Sequence, residues 1–113
     1  MKSEMFLGRR RAAGLVVAGL MMFGVPSVAW ADETVTISGF AFKPATLTVK
    51  PGTTVVWVNE DSAPHIVAEK GGKFRSATLN KGDKFTQTFA QASTIDYVCS
   101  IHPSMTAKVV VAP

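Results

Sequence analysis

Cysteine is nearly absent from this chain: 113 residues contain one, Cys99. A lone thiol excludes an intramolecular disulfide, the staple that small exported domains commonly use. Histidine occurs twice, at His65 and His102, and methionine is scarce outside the start of the chain. Met1, Met5, Met21 and Met22 crowd the first 22 residues and leave Met105 alone in the remainder. Positive charge is also lacking where a nucleic acid would need it. Lys2 and Arg9–Arg11, set against Glu4, carry +3 of the net charge of +4, so the residues after 31 hold only +1. No basic stripe survives there to track a phosphate backbone; Glu69–Lys73, EKGGK, reads as a solvated loop. No window keeps an apolar stripe at helical spacing over three turns.

The single long apolar run, Ala12–Val25, follows the basic cluster and precedes Pro26 and the small-residue pattern Ala29-Trp30-Ala31. It is short for a membrane span, which needs about 20 residues. Residues 1–31 therefore read as an export signal cut after Ala31, with no membrane attachment afterwards. The arginine run is compatible with either a general or a twin-arginine route. Cleavage leaves one domain, residues 32–113, with a modest core.

That domain reads as all-β. TVTISGF alternates, with Val35 and Ile37 on one face, and TLTV repeats the pattern with Leu47 and Val49. KPGTT is a turn. VVWVN is dense enough in apolar residues to suggest a strand covered on both faces. NEDSAP is a loop, HIVA a short strand, LNKGDK a turn before FTQTF, and STIDYVC aligns Ile95, Tyr97 and Cys99. AKVVV closes the chain. Seven to eight short strands separated by turns suit a Greek-key β-sandwich.

A lone cysteine leaves a metal, an intermolecular bridge or a free thiol, and the spacing of Cys99-x-x-His102-x-x-Met105 becomes informative. One thiolate, two imidazoles and a weak thioether form the donor set of a blue copper centre. Ligands three residues apart require a tight loop that wraps the ion, and Pro103 helps to turn it. His65, after Pro64, must arrive from a neighbouring strand. Zinc could use the same three strong donors, although thioether suits it poorly. A cysteine–histidine hydrolase would need an orienting third group, an oxyanion hole and a cleft, for which so small a β-domain has little room.

These segments resemble the cupredoxins, the small blue copper proteins. FAFKPATLTVKPGTTVVWVNEDSAPHIV is similar to the first half of that family and YVCSIHPSMTAKVVV to the second. The two residues between His102 and Met105 match the short-loop amicyanin group; plastocyanins and pseudoazurins are wider relatives with longer loops. The resemblance implies a cupredoxin-like Greek-key sandwich and one type 1 copper ion, Cu(I)/Cu(II), on His65, Cys99, His102 and Met105. It also implies a periplasmic one-electron carrier, not an enzyme, that docks transiently with a donor dehydrogenase and a c-type cytochrome or similar acceptor. Nothing demands more than a monomer. Copper storage or delivery is the alternative, but methionine- or histidine-rich tracts are missing. Three departures stand out. Ile66 follows the first histidine where the family often has an asparagine that ties the ligand loops. Ile101 precedes His102 where the amicyanins have proline, so its N–H is free to reach the Cys99 sulfur. Ser93 takes the place of a glycine before the last two strands.

Overall fold

The computed structural model describes residues 32–113; the export signal expected at 1–31 lies outside the described residues. Among the described residues, eight strands form two four-stranded sheets. They are β1 Asp32–Ile37, β2 Phe42–Lys43, β3 Thr46–Val49, β4 Thr53–Asn59, β5 Val67–Glu69, β6 Lys84–Phe89, β7 Ser93–Cys99 and β8 Thr106–Val111. One sheet has the order β2-β1-β4-β6 and the other β3-β8-β7-β5. β1 runs parallel to β4, with Val35 opposite Trp57, and β3 runs parallel to β8, with Leu47 opposite Val109. The remaining pairs are antiparallel. From β2 onward the chain changes sheet repeatedly, which produces the Greek-key sandwich expected from the sequence.

Alternation decides which face is buried. Val35 and Ile37 of β1, Val55 and Trp57 of β4, Tyr97 and Cys99 of β7, and Val109 and Val111 of β8 fill the space between the sheets. Trp57 is the hub of that core, with rings of Tyr97, Phe85, Phe74 and Phe89 at 5.4, 5.6, 6.2 and 6.4 Å. β4 departs from the expectation of two covered faces. Its burial alternates, and Val56 and Val58 are only half-buried. The apolar density instead reflects a strand paired along both edges, with β1 and β6. The segment expected as the strand HIVA is also shorter: β5 begins at Val67, and His65 forms an isolated bridge with Leu79. Gly52, at φ 93°, closes the expected Pro51-Gly52 turn in a conformation that only glycine adopts without strain.

Among the described residues, three buried side-chain polar atoms lack a hydrogen-bond partner: Trp57 Nε1, Tyr97 Oη and Ser100 Oγ. Burial pushes the Tyr97 phenol up to about 12, only partly offset by the nearby indole of Trp57, which falls short of hydrogen-bond geometry. Below pH 10 the phenol is protonated in both states and contributes no pH dependence. Between 10 and 12 the unfolded chain ionises first, so stability falls as pH rises, by up to about 1.4 kcal/mol per pH unit. Tyr97→Phe removes a hydroxyl that has no partner. Its urea stability at pH 7, followed by tryptophan fluorescence, should stay within about 1 kcal/mol of the parent. The alkaline loss should flatten in the same variant.

Candidate metal centre

β7 ends at Cys99 and β8 begins at Thr106, so the segment between them must reverse direction within six residues. Main-chain bonds fold it tightly. The Cys99 N–H donates to the Met105 carbonyl at 3.0 Å, the His102 N–H to the Cys99 carbonyl at 3.2 Å, and the Met105 N–H to the His102 carbonyl at 2.9 Å. Met105 and Cys99 belong to the buried core, while His102 is half-buried and Ile101 is 41% exposed.

The second segment is set by β5, whose Val67 pairs with Cys99. Two residues earlier, His65 is fully buried and held through its main chain by Leu79, with bonds of 3.0 and 2.7 Å. Its Nδ1 lies 3.6 Å from Cys99 Sγ, and His102 Nδ1 lies 3.6 Å from the same sulfur. The three donor atoms lie within 4.8 Å of one another, and Cys99 and His65 are sealed from solvent. An ion bound about 2.3 Å from sulfur and about 2.0 Å from nitrogen, with donors spread between tetrahedral and trigonal angles, requires roughly 3.5–3.7 Å between S and N. The observed spacing meets that requirement, so the donor set fits one type 1 copper ion. The structure thus brings His65, Cys99 and His102 together, and Met105 is buried at the far end of the same loop.

The departure at Ile66 has a main-chain solution. The Ile66 N–H donates to Cys99 Sγ at 3.4 Å, and the Ile66 carbonyl accepts the Ser100 N–H at 3.2 Å. The segments carrying His65 and Cys99 are therefore tied without an asparagine side chain. This also corrects the expectation for Ile101, because the backbone donor on the sulfur is Ile66.

Two polar residues ahead of His65, Asn59 at the end of β4 and Asp61 in the loop that follows, carry no motif in the sequence. Asn59, fully buried at the end of β4, donates through Nδ2 to the carbonyls of Ala63 (3.0 Å) and Leu79 (2.7 Å) and accepts the Asp61 N–H at 2.8 Å. Asp61 accepts from His65 Nε2 at 2.9 Å. A carboxylate accepts there, so Nε2 carries a proton and Nδ1 is the ring nitrogen that faces the sulfur. Partial burial pushes the Asp61 carboxyl up, but bonds from the Phe40 N–H, His65 and the Gly39 N–H outweigh it and hold it below its usual value. A carboxylate four residues ahead of a histidine was the available signal, obscured by its place in a loop of polar residues.

Fold and donor set together define a small blue copper protein. The chain matches the family described as copper binding proteins, plastocyanin/azurin family, over residues 30–112. It is 36% identical over 94 residues to the amicyanin of Paracoccus denitrificans, covering 79% of this chain and 72% of that protein. It is 41% identical over 70 residues to the amicyanin of Paracoccus versutus, covering 58% of this chain but only 53% of that relative's length. A solved Cu(I) amicyanin variant superposes with a TM-score of 0.70 at 35% identity, covering 76% of this chain and 87% of the other. A purple cupredoxin from Nitrosopumilus maritimus gives 0.65 at 33% identity, covering 72% of this chain and all of that one. The chain belongs to the plastocyanin/azurin family of copper-binding proteins, and among its relatives it is similar to the amicyanins.

Asn59 carries three bonds of the loop that positions His65, so its truncation strands two carbonyls and an N–H. Asn59→Ala should destabilise the metal-free protein by about 2–4 kcal/mol, read as a lower urea midpoint at unchanged slope.

Proposed function

We propose that this protein is a one-electron carrier that holds copper on His65, Cys99 and His102, with Met105 as a weak axial donor. The observation that carries this reading is the pair of 3.6 Å separations between Cys99 Sγ and the two imidazole nitrogens, inside a sandwich that fixes both contributing segments. Copper bound there supplies a one-electron couple that needs no bond to be made or broken in a substrate. The chain's own contribution is to hold the donors nearly still. The backbones of Ile66 and Leu79 and the Asp61 carboxylate fix His65, and the closed turn fixes Cys99, His102 and Met105. Little rearrangement is then needed when charge arrives or leaves. The half-buried His102, next to the exposed Ile101, is the route outward. Deep burial of His65 and Cys99 favours a carrier over a protein that releases its metal on demand.

The cellular setting belongs to the same proposal. Residues 1–31 direct export and are removed, leaving a domain of residues 32–113 in the periplasm. There it exchanges electrons, without enzymatic chemistry of its own, with a donor dehydrogenase and a c-type cytochrome or similar acceptor. Such docking is brief and buries a small interface. Support comes from the sequence of the first 31 residues and from the likeness to the amicyanins.

The deciding experiment is the visible and EPR spectrum of the purified protein after Cu(II) loading. An intense blue band with the narrow hyperfine splitting of a thiolate site is expected; a colourless protein would sink the proposal. Cys99→Ser should abolish the band. Met105→Leu should retain copper and colour while the potential shifts, and copper loss equal to that of Cys99→Ser would contradict the axial assignment.

A further inference from the structure

β1 and β2 are joined by Ser38–Ala41, whose ends exchange main-chain bonds of 3.0 and 3.2 Å. The two central residues, Gly39 and Phe40, both have positive φ, at 62° and 57°. This is the turn that strongly prefers glycine in its second position. A bulky aromatic there is strained. Hydrophobic burial does not account for it, because Phe40 is 52% exposed.

Asp61 accounts for the backbone. Its Oδ1 accepts the Gly39 N–H at 2.8 Å, and its Oδ2 accepts the Phe40 N–H at 2.9 Å. The same Oδ2 accepts from His65 Nε2 at 2.9 Å. One carboxylate oxygen therefore joins the strained turn to a buried imidazole of the metal centre. The Phe40 ring stands nearly perpendicular to both imidazoles, 5.3 Å and 84° from His65 and 4.9 Å and 82° from His102. His65 and His102 lie 5.1 Å apart, so a single side chain braces the pair.

We propose that Asp61 and Phe40 form one positioning device for the metal centre. Asp61 anchors His65 by its outer nitrogen and forces the turn that stands the Phe40 ring against both histidines, where it braces them and shields the copper. Neither residue touches the sulfur; both act through the imidazoles. The device rests on the copper reading above, and its test separates the two.

Phe40→Gly is the informative variant because glycine suits the turn and only the ring is lost. Its metal-free urea midpoint should equal or exceed that of the parent. Transfer of Cu(I) from the loaded protein to excess bathocuproine disulfonate should be at least fivefold faster, with shifted visible bands, and Phe40→Tyr should restore both. Asp61→Asn should weaken copper binding by about 10–100-fold. In the double variant, release should be no faster than in the faster single variant, since one device is lost once. Release from Phe40→Gly less than fivefold faster than the parent overturns the proposal, as does a Phe40→Gly protein that unfolds. Multiplicative effects in the double variant overturn the claim of a single device. A blue parent with an indifferent Phe40→Gly variant sinks only this inference, whereas a colourless parent sinks the copper reading beneath it.

Discussion

The pairing of Val67 with Cys99 is the constraint on which the site depends. That register joins two segments more than thirty residues apart and fixes where β7 ends relative to β5. The Ile66 N–H then falls on the Cys99 sulfur, and His65 falls beside it. Slipping the register by one residue would turn the Cys99 side chain away from the core and send its thiol to the outer face. The aromatic cluster around Trp57 resists such a slip, because Tyr97 of the same strand is locked edge-on against the indole. Core packing and donor geometry are therefore one constraint, imposed from two sides.

Polar order is concentrated in the loop before His65. Asn59 bonds to Ala63, Leu79 and the Asp61 N–H, and Asp61 in turn reaches His65, Gly39 and Phe40. The chain of contacts runs from a buried strand end, through a partly exposed carboxylate, to the His65 imidazole and an exposed aromatic. A buried imidazole is costly to leave unpaired, and the carboxylate satisfies the nitrogen that faces away from the sulfur. The arrangement also explains how the protein does without an asparagine after His65: main-chain groups of Ile66 tie the loops, and side-chain order is moved upstream to Asn59 and Asp61.

Much of this was legible in the sequence because it is local. Alternation in TVTISGF and STIDYVC marks the buried faces, and the spacing of Cys99, His102 and Met105 declares a wrapped loop once an intramolecular disulfide is excluded. The partnership with His65 was chemical inference, drawn from a donor inventory with few members. What escaped depends on contacts distant in sequence. Phe40 read as the end of a strand, yet its conformation is set by Asp61, 21 residues away. The strand β4 read as covered on both faces because apolar density does not distinguish a covered face from a paired edge. Backbone donors carry no side-chain label, so Ile66 and Ile101 could not be ranked as partners of the sulfur before the fold was known.

X-ray absorption at the copper edge tests the central claim most directly, because it counts the atoms bound to the metal. With the protein loaded to one equivalent, a first shell of two imidazole nitrogens and one short thiolate sulfur is expected, with the sulfur lost in a variant lacking the Cys99 thiol. A shell of nitrogen and oxygen alone in the parent protein would show that the ion sits elsewhere and contradict the account.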